Sequence, residues 1–143
     1  MRKQGIGLRG EYRVAALLCH EPYNRSVIRC AYTSPYDCVI DGHRTEIKCA
    51  APRPKPHRDG ALIWTFNIHR HGVLNEKETD LYILRLEGVP YSKAAIHMLF
   101  KAPLGTPTIC VSMRALLNQD FAAAVADFYS LAKGEYGRKE VAA

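Results

Sequence analysis

The sequence lacks several features that would assign it at once to a functional class. No apolar run approaches the roughly 18 residues of a membrane-spanning helix, and the basic N-terminus "MRKQGIGLRGEYR" is not followed by the apolar segment of a secretory signal. We therefore expect a cytoplasmic protein with no membrane partner. The absence of a G-x-x-x-x-G-K-[ST] loop argues against nucleotide hydrolysis. Internal repeats and low-complexity segments are also missing, which favours an ordinary globular domain.

The cysteine and histidine patterns argue against a disulfide framework and against a zinc site. The chain has 5 cysteines, an odd number, and no C-x-x-C motif, which favours reduced thiols over a disulfide framework. His69 and His71 form an H-x-H pair without further ligands at useful spacing, so a zinc site is not expected.

The composition that remains is that of one soluble domain. The 143 residues are 48% hydrophobic and 24% charged, enough to bury a core as a single domain spanning 1–143. A formal net charge of +6 is compatible with a polyanionic partner such as nucleic acid, because lysine and arginine neutralise phosphates.

Hydrophobic periodicity predicts a helix, a series of strands and a second helix, in an α/β domain whose first half is mixed and largely antiparallel. The core would span about 5–111, followed by a C-terminal helix at about 112–133, broken near Asn118, and a tail at 134–143. The predicted elements are a helix over 7–20 and strands over 26–32, 36–40, 44–50, 61–69 and 80–86, with weaker strands within 94–100 and 106–112.

The segment "SPYDCVIDGHRTEIKCA" (34–50) predicts a hairpin. Asp41-Gly42 lies between β-prone runs, and both residues of such a turn adopt positive φ. A two-residue loop would place Cys38 opposite Thr45 and Asp37 opposite Glu46. Lys48 would emerge on the same face as Glu46. The other face would carry Cys38, Ile40, Thr45, Ile47 and Cys49, ready to pack against a helix.

Two carboxylates and an ammonium on one patch have two interpretations. Opposed carboxylates repel each other unless a cation lies between them, and Mg²⁺ binds one or two carboxylates together with water and phosphate oxygens. Lys48 could then hold a water or neutralise charge developing on phosphorus. Alternatively, this is a surface hairpin in which Lys48 simply pairs with Glu46 and Asp37.

These residues resemble the signature of the PD-(D/E)XK nuclease superfamily, an Asp at a strand start followed on the next strand by Glu or Asp, one residue and Lys. Here the signature is Asp37 and then "EIK", with 8 residues between Asp37 and Glu46. It departs from the signature in one place. The signature has a proline directly before the Asp, whereas here Tyr36 precedes Asp37 and Pro35 lies one position earlier. "GLRGEYRVAALL" resembles the first helix of Holliday junction resolvases and intron-encoded homing endonucleases in this superfamily. "ALIWTFNI" and "ETDLYILRL" resemble the next two strands.

The resemblance, which covers about residues 5–100, implies a restriction-endonuclease-like core with a central mixed β-sheet flanked by α-helices. It implies that Asp37, Glu46 and the carbonyl of Ile47 ligate Mg²⁺, for which Mn²⁺ would substitute. Lys48 would act on the attacking water and Glu11 would complete the site from the helix. The implied activity is Mg²⁺-dependent hydrolysis of DNA to 5′-phosphate and 3′-hydroxyl ends. Glu11 lies at the edge of the apolar stripe of its helix, where a carboxylate needs a partner.

Basic residues near this hairpin are candidates for phosphate contacts, although each could equally be a solvated side chain. They are Arg53, Lys55 and Arg58 in a proline-stiffened segment, and Arg9 and Arg13 on the first helix. Cutting both strands needs two active sites, so a homodimer or homotetramer is expected. A Holliday junction resolvase of the same fold and a catalytically idle DNA-binding module remain alternatives, as does an interaction protein without nucleic-acid affinity.

Overall fold

The computed structural model describes residues 2–31, 33–55, 61–68 and 78–137, with the backbone alone for residues 2–6. The element order confirms the predicted sequence of a helix, strands and a broken C-terminal helix. In chain order the elements are α1 (Arg2–Cys19), β1 (Val27–Arg29), β2 (Cys38–Ile40), β3 (His43–Ala50), β4 (Arg53–Pro54), β5 (Leu62–Asn67), β6 (Leu81–Leu86), β7 (Ile96–Lys101), β8 (Thr108–Ser112), α2 (Met113–Leu117) and α3 (Ala122–Ala132).

The strands form two sheets. The larger is five-stranded with the order β1-β2-β3-β6-β7, and it is mixed because β3 and β6 run parallel while the other neighbours are antiparallel. The second sheet is antiparallel with the order β4-β5-β8. A mixed central sheet accompanied by helices is therefore confirmed. In the described part of the proline-rich segment, residues 51–55, the two-residue edge strand β4 is formed, as expected where prolines cannot donate to a ladder.

Two hydrophobic clusters cover the two faces of the central sheet, because side chains alternate along each strand. Ile47 and Ile83 join Val14 and Leu18 of α1 and Phe128 of α3 in the first cluster. The second cluster contains the alternate residues of the same strands, together with aromatic and aliphatic residues of the second sheet. Its members include Ala50, Tyr82, Leu84, Trp64, Phe66 and Val111. The predicted helix-packing face of the hairpin is thus the face that packs against α1.

Helix α1 approaches β3 closely at Gly10. A Cβ built on Gly10 would collide with the Sγ of Cys49 and lie 2.9 Å from its Cβ. Val14 and Leu18 of the same helix are fully buried, whereas Leu17, which the sequence places on the same stripe, is 37% exposed. The absence of a side chain at Gly10 therefore allows α1 to lie close to β3. The same contact determines how far the next residue, Glu11, lies from the sheet.

Replacing Gly10 by alanine is expected to lower the free energy of unfolding by about 1–3 kcal/mol, because an overpacked contact must be relieved by moving the helix. Gly7→Ala is the matched control, since a Cβ at Gly7 meets nothing within 4 Å. In a helix that change is expected to stabilise by about 0.5–1 kcal/mol. Urea unfolding of both variants measures the difference, and equal stabilities would contradict the close approach.

The C-terminal helix is broken where the sequence indicates. Segment α2 ends at Leu117, and α3 begins at Ala122 after a turn in which Gln119 has φ of 62°. Gly134, with φ of 77°, follows the end of α3, as expected for a left-handed cap residue. Among the described residues, no helix is both long and apolar enough to cross a membrane.

Candidate active site

The hairpin has the predicted turn and, as far as the pair of Cys38 with Thr45, the predicted register. Asp41 and Gly42 have φ of 47° and 85°, and the paired residues include Ile40 with His43 and Cys38 with Thr45. The ladder ends at this last pair, because β2 begins at Cys38. Strand β3 continues beyond it for several residues, and no strand within the described residues pairs with it there on the side of β2. We call this stretch, at Glu46, Ile47 and Lys48, the open edge of β3.

Asp37 lies at this open edge. Its amide donates to the carbonyl of Thr45 at 3.0 Å, and its Oδ2 accepts from the amide of Ile47 at 2.7 Å. The structure differs here from the expected pairing of Asp37 directly opposite Glu46, because the carboxylate replaces a strand partner for β3. Since the amide and carbonyl of a strand residue point to the same side, the carbonyl of Ile47 also points to the edge where Asp37 lies.

Glu46 and Lys48 share the face of β3 that carries Ala50, the face opposite α1. Glu46 is only 8% exposed, and its Oε1 lies 3.0 Å from the Nζ of Lys48. The alternative interpretation of the segment, a surface hairpin without a metal site, also predicts this ion pair. The ammonium has three N–H donors, so its contact with Glu46 leaves donors for a water or a phosphate oxygen.

Glu11 lies on α1, which packs against the Ile47 face of β3, and its negative charge acts on Asp37. Its Oε1 accepts a hydrogen bond of 2.9 Å from Nη2 of Arg29 on β1, and the guanidinium of Arg29 lies over the ring of Tyr12, with Cζ 3.7 Å from the ring centroid. No motif in the sequence singles out Arg29. A hairpin signal fixes the β2–β3 pairing, but the pairing of Arg29 with Cys38 depends on β1 and has no comparable turn motif.

The electrostatics of Asp37 connect these groups. Burial, with smaller contributions from the negative charges of Glu11 and Glu46, raises the pKa of Asp37 from 3.8 to about 6. The hydrogen bond from Ile47 and the charge of Lys48 oppose this rise. Asp37 is therefore a mostly buried carboxylate that feels the charges of Glu11 on α1 and Glu46 on β3, and it is not fully ionised at mildly acidic pH.

The donor set matches the chemistry of a hard divalent cation. Carboxylate and carbonyl oxygens are the ligands of Mg²⁺, which commonly takes one or two carboxylates and completes its shell with water and phosphate. A cation beside Asp37 would also offset the burial and the smaller repulsion that raise its pKa. Within residues 2–31, 33–55, 61–68 and 78–137, however, no three His, Cys, Asp or Glu side chains are grouped to hold a metal ion.

The candidate DNA-contacting residues are spread over two elements. Arg53 is exposed on the edge strand β4, and Lys55, which follows it, is half-buried. Arg9 and Arg13 are exposed on α1, and the guanidinium of Arg13 lies 3.4 Å from Glu87 with 58% of its side chain exposed. Arg58, like His69 and His71, lies outside the described residues.

The cysteines near the site are inert core thiols. Cys38 is buried and Cys49 packs against the same cluster, and all the cysteines in the described part of the chain are free. Burial raises the pKa of each of these two thiols to about 12, so neither is a thiolate nucleophile at neutral pH.

Asp80, which directly precedes β6, has a structural role. Its carboxylate accepts from the amide of Arg44 at 2.9 Å and from its Nε and Nη2, each at 3.1 Å. This contact joins the start of β6 to β3, so it fixes the parallel pairing on which the position of Glu46 depends.

Comparisons of the chain with models of known protein families, with curated proteins and with solved structures found no match.

Proposed function

We propose that the protein is a Mg²⁺-dependent DNA endonuclease with a restriction-endonuclease-like fold, producing 5′-phosphate and 3′-hydroxyl ends. The observation that carries the proposal is the position of Asp37 at the open edge of β3. There its carboxylate is held by the Ile47 amide and interacts electrostatically with Glu11, Glu46 and Lys48. The spacing from Asp37 to "EIK" and the five-stranded mixed sheet are both consistent with it.

Each residue has a role that its position supports. Asp37, Glu46 and the Ile47 carbonyl would hold Mg²⁺, for which Mn²⁺ would substitute, with Glu11 contributing from α1. The ion, when bound, supplies positive charge to the phosphate and lowers the pKa of a water. Lys48 would orient the attacking water and neutralise negative charge in the transition state with the N–H donors that Glu46 does not use.

The basic residues outside the centre would hold the DNA backbone. Arg53 and Lys55 follow β3 directly, so they lie on the chain segment that leaves the site, and Arg9 and Arg13 lie one turn apart on the helix that carries Glu11. Such contacts would position DNA without reading its sequence. Cutting both strands requires two centres, which a homodimer or homotetramer provides.

A catalytically idle DNA-binding module is the second candidate, and a specific observation favours it. Lys48 is paired with Glu46, and Glu11 with Arg29, so two of the three carboxylates already have a cation. This candidate predicts salt-sensitive DNA binding without cleavage. It also predicts that Asp37 and Lys48 affect stability alone.

A cleavage assay separates the candidates. Supercoiled plasmid and a synthetic four-way junction would be incubated with Mg²⁺, Mn²⁺ or EDTA, using the parent protein, Asp37→Ala and Lys48→Ala. We expect metal-dependent cleavage by the parent alone. Preference for the junction regardless of sequence would assign the enzyme as a Holliday junction resolvase, and cutting at one duplex site would assign it as a homing-type endonuclease. Absence of cleavage together with absence of Mg²⁺ binding would reject the nuclease proposal.

A further inference from the structure

Arg29 is an unusual component of the candidate site, because it is a cation placed among groups that would bind a cation. Its Nη2 donates to Oε1 of Glu11 at 2.9 Å, and 31% of its side chain is exposed. The ring of Tyr12 supports the other side of the guanidinium, an arrangement that favours arginine over lysine. Its Nε is buried and has no hydrogen-bond acceptor within the described part of the chain, which is unfavourable for a pair that serves stability alone.

The charges of the site balance only in part. Glu11 is paired with Arg29 and Glu46 with Lys48, whereas the carboxylate of Asp37 accepts a backbone amide. A divalent cation entering beside Asp37 would be attracted by that carboxylate, but it would meet Glu11 already holding a guanidinium. The lone pair with which Oε1 accepts the hydrogen bond from Arg29 is not available to a metal ion, and the guanidinium charge repels such an ion, so the two cations compete for Glu11.

We propose that Arg29 is a positioning residue that holds the carboxylate of Glu11 over the open edge of β3 and competes with a divalent cation for it. This inference rests on the proposed function, because it takes Asp37, Glu46 and Glu11 as the metal-binding groups. Arg29 then lowers the metal affinity of the site while it keeps Glu11 in place. Tyr12 limits the positions that the guanidinium can take once Glu11 has turned to the metal.

The test is Mg²⁺ affinity, measured by titration calorimetry on the full chain without DNA. Arg29→Met removes the charge and keeps an unbranched side chain against Tyr12, and we expect it to bind Mg²⁺ about tenfold more tightly than the parent, because one unit of opposing charge is removed near a divalent ion. Arg25→Met is the matched control. It also removes one arginine from an ion pair, that with Asp41 at 3.3 Å, but at the hairpin turn. Its affinity is expected to equal that of the parent.

Measuring Arg29→Met in a Glu11→Gln background shows whether the change in Mg²⁺ affinity depends on Glu11. In Glu11→Gln, the substitution Arg29→Met is expected to change Mg²⁺ affinity less than it does in the parent, since the competition has been removed. A double-mutant cycle reports this difference directly. Arg29→Gln, which keeps a neutral donor for Glu11, provides the same comparison if the methionine variant folds poorly. It is expected to give a smaller gain in affinity.

The outcomes distinguish the two proposals. If the parent binds Mg²⁺ and both Arg29 variants bind it no more tightly than Arg25→Met, the competition is refuted and the proposed nuclease stands. An equal gain in the parent and in Glu11→Gln would also refute competition at Glu11. If neither the parent nor any Arg29 variant binds Mg²⁺, both proposals are overturned.

Discussion

Replacing Lys48 by glutamine is expected to reduce Mg²⁺-dependent DNA cleavage by about 10²–10⁴-fold, the usual effect of losing a general acid–base or charge-stabilising group. The ammonium lies 3.0 Å from Glu46, two residues along β3, on the strand that carries the Ile47 carbonyl. Glutamine retains hydrogen-bonding capacity but carries no charge. Rates of plasmid nicking under single-turnover conditions, with DNA affinity measured separately, would show whether the loss lies in catalysis.

The same substitution has a consequence for stability that must be separated from catalysis. Glu46 is 8% exposed, so Lys48→Gln leaves a nearly buried carboxylate with a weaker partner. We expect this to lower the free energy of unfolding by about 1–3 kcal/mol. Replacing both residues in Glu46→Gln/Lys48→Gln is expected to restore much of that stability, because no charge is then left unpaired. If the ion pair is only structural, the double variant should bind DNA like the parent. In that case neither protein should cleave DNA.

Lys101→Gln is the matched control for Lys48→Gln. Lys101 is exposed at the end of β7, so the substitution makes the same change in net charge outside the candidate site. It is expected to alter neither cleavage nor stability beyond about 0.5 kcal/mol. Parent-like cleavage by Lys48→Gln would contradict the assigned role of Lys48.

The hairpin could be predicted from sequence because local chemistry determines it. Asp41-Gly42 requires positive φ at both positions, and this turn fixes the register that brings Cys38 opposite Thr45. Alternation then assigns Ile47 to the helix side and Glu46 to the other. The interruption of the C-terminal helix near Asn118 is local in the same sense.

Features that depend on long-range pairing could not be predicted in this way. The sequence indicates strands at 61–69 and 106–112, but their pairing with each other in a separate sheet joins residues more than forty positions apart, such as Trp64 and Val111. The contact between Glu11 and Arg29 depends on how α1 crosses β1. Asp37 at the sheet edge depends on where the β2–β3 ladder stops, which an ideal two-residue hairpin does not indicate.

Asp37→Asn is expected to stabilise the metal-free protein at pH 7.5. Asparagine keeps an oxygen to accept from the Ile47 amide, and it removes a charge that the folded state disfavours. Because the pKa of Asp37 rises from 3.8 in its ordinary range to about 6 in the fold, the folded protein binds the proton more tightly than the unfolded chain. The stability associated with that proton is fully present below about pH 3.8 and is lost as pH rises through about 6.

The expected gain is therefore about 1–3 kcal/mol at pH 7.5, since each pKa unit corresponds to about 1.4 kcal/mol, and it should disappear near pH 3.8. Urea unfolding across this pH range in EDTA measures it. Asp41→Asn is the matched control, because it removes a carboxylate that Arg25 pairs with and is expected to destabilise slightly instead. A parent protein more stable than Asp37→Asn at pH 7.5 in EDTA would contradict the electrostatic account of the site.

Adding Mg²⁺ should reverse the order of the two proteins. An ion bound only by the folded state stabilises it by about 4.1 kcal/mol at a thousand times its Kd. The parent, with Asp37 available as a ligand, should gain this amount. Asp37→Asn should gain little, because a neutral amide replaces the carboxylate that the ion would bind. Asp37→Asn would thus stabilise the metal-free protein and remove its affinity for the ion. This is the result expected if the unfavourable burial of the Asp37 charge is offset by a bound cation. Equal stabilisation of both proteins by Mg²⁺ would place any bound ion elsewhere.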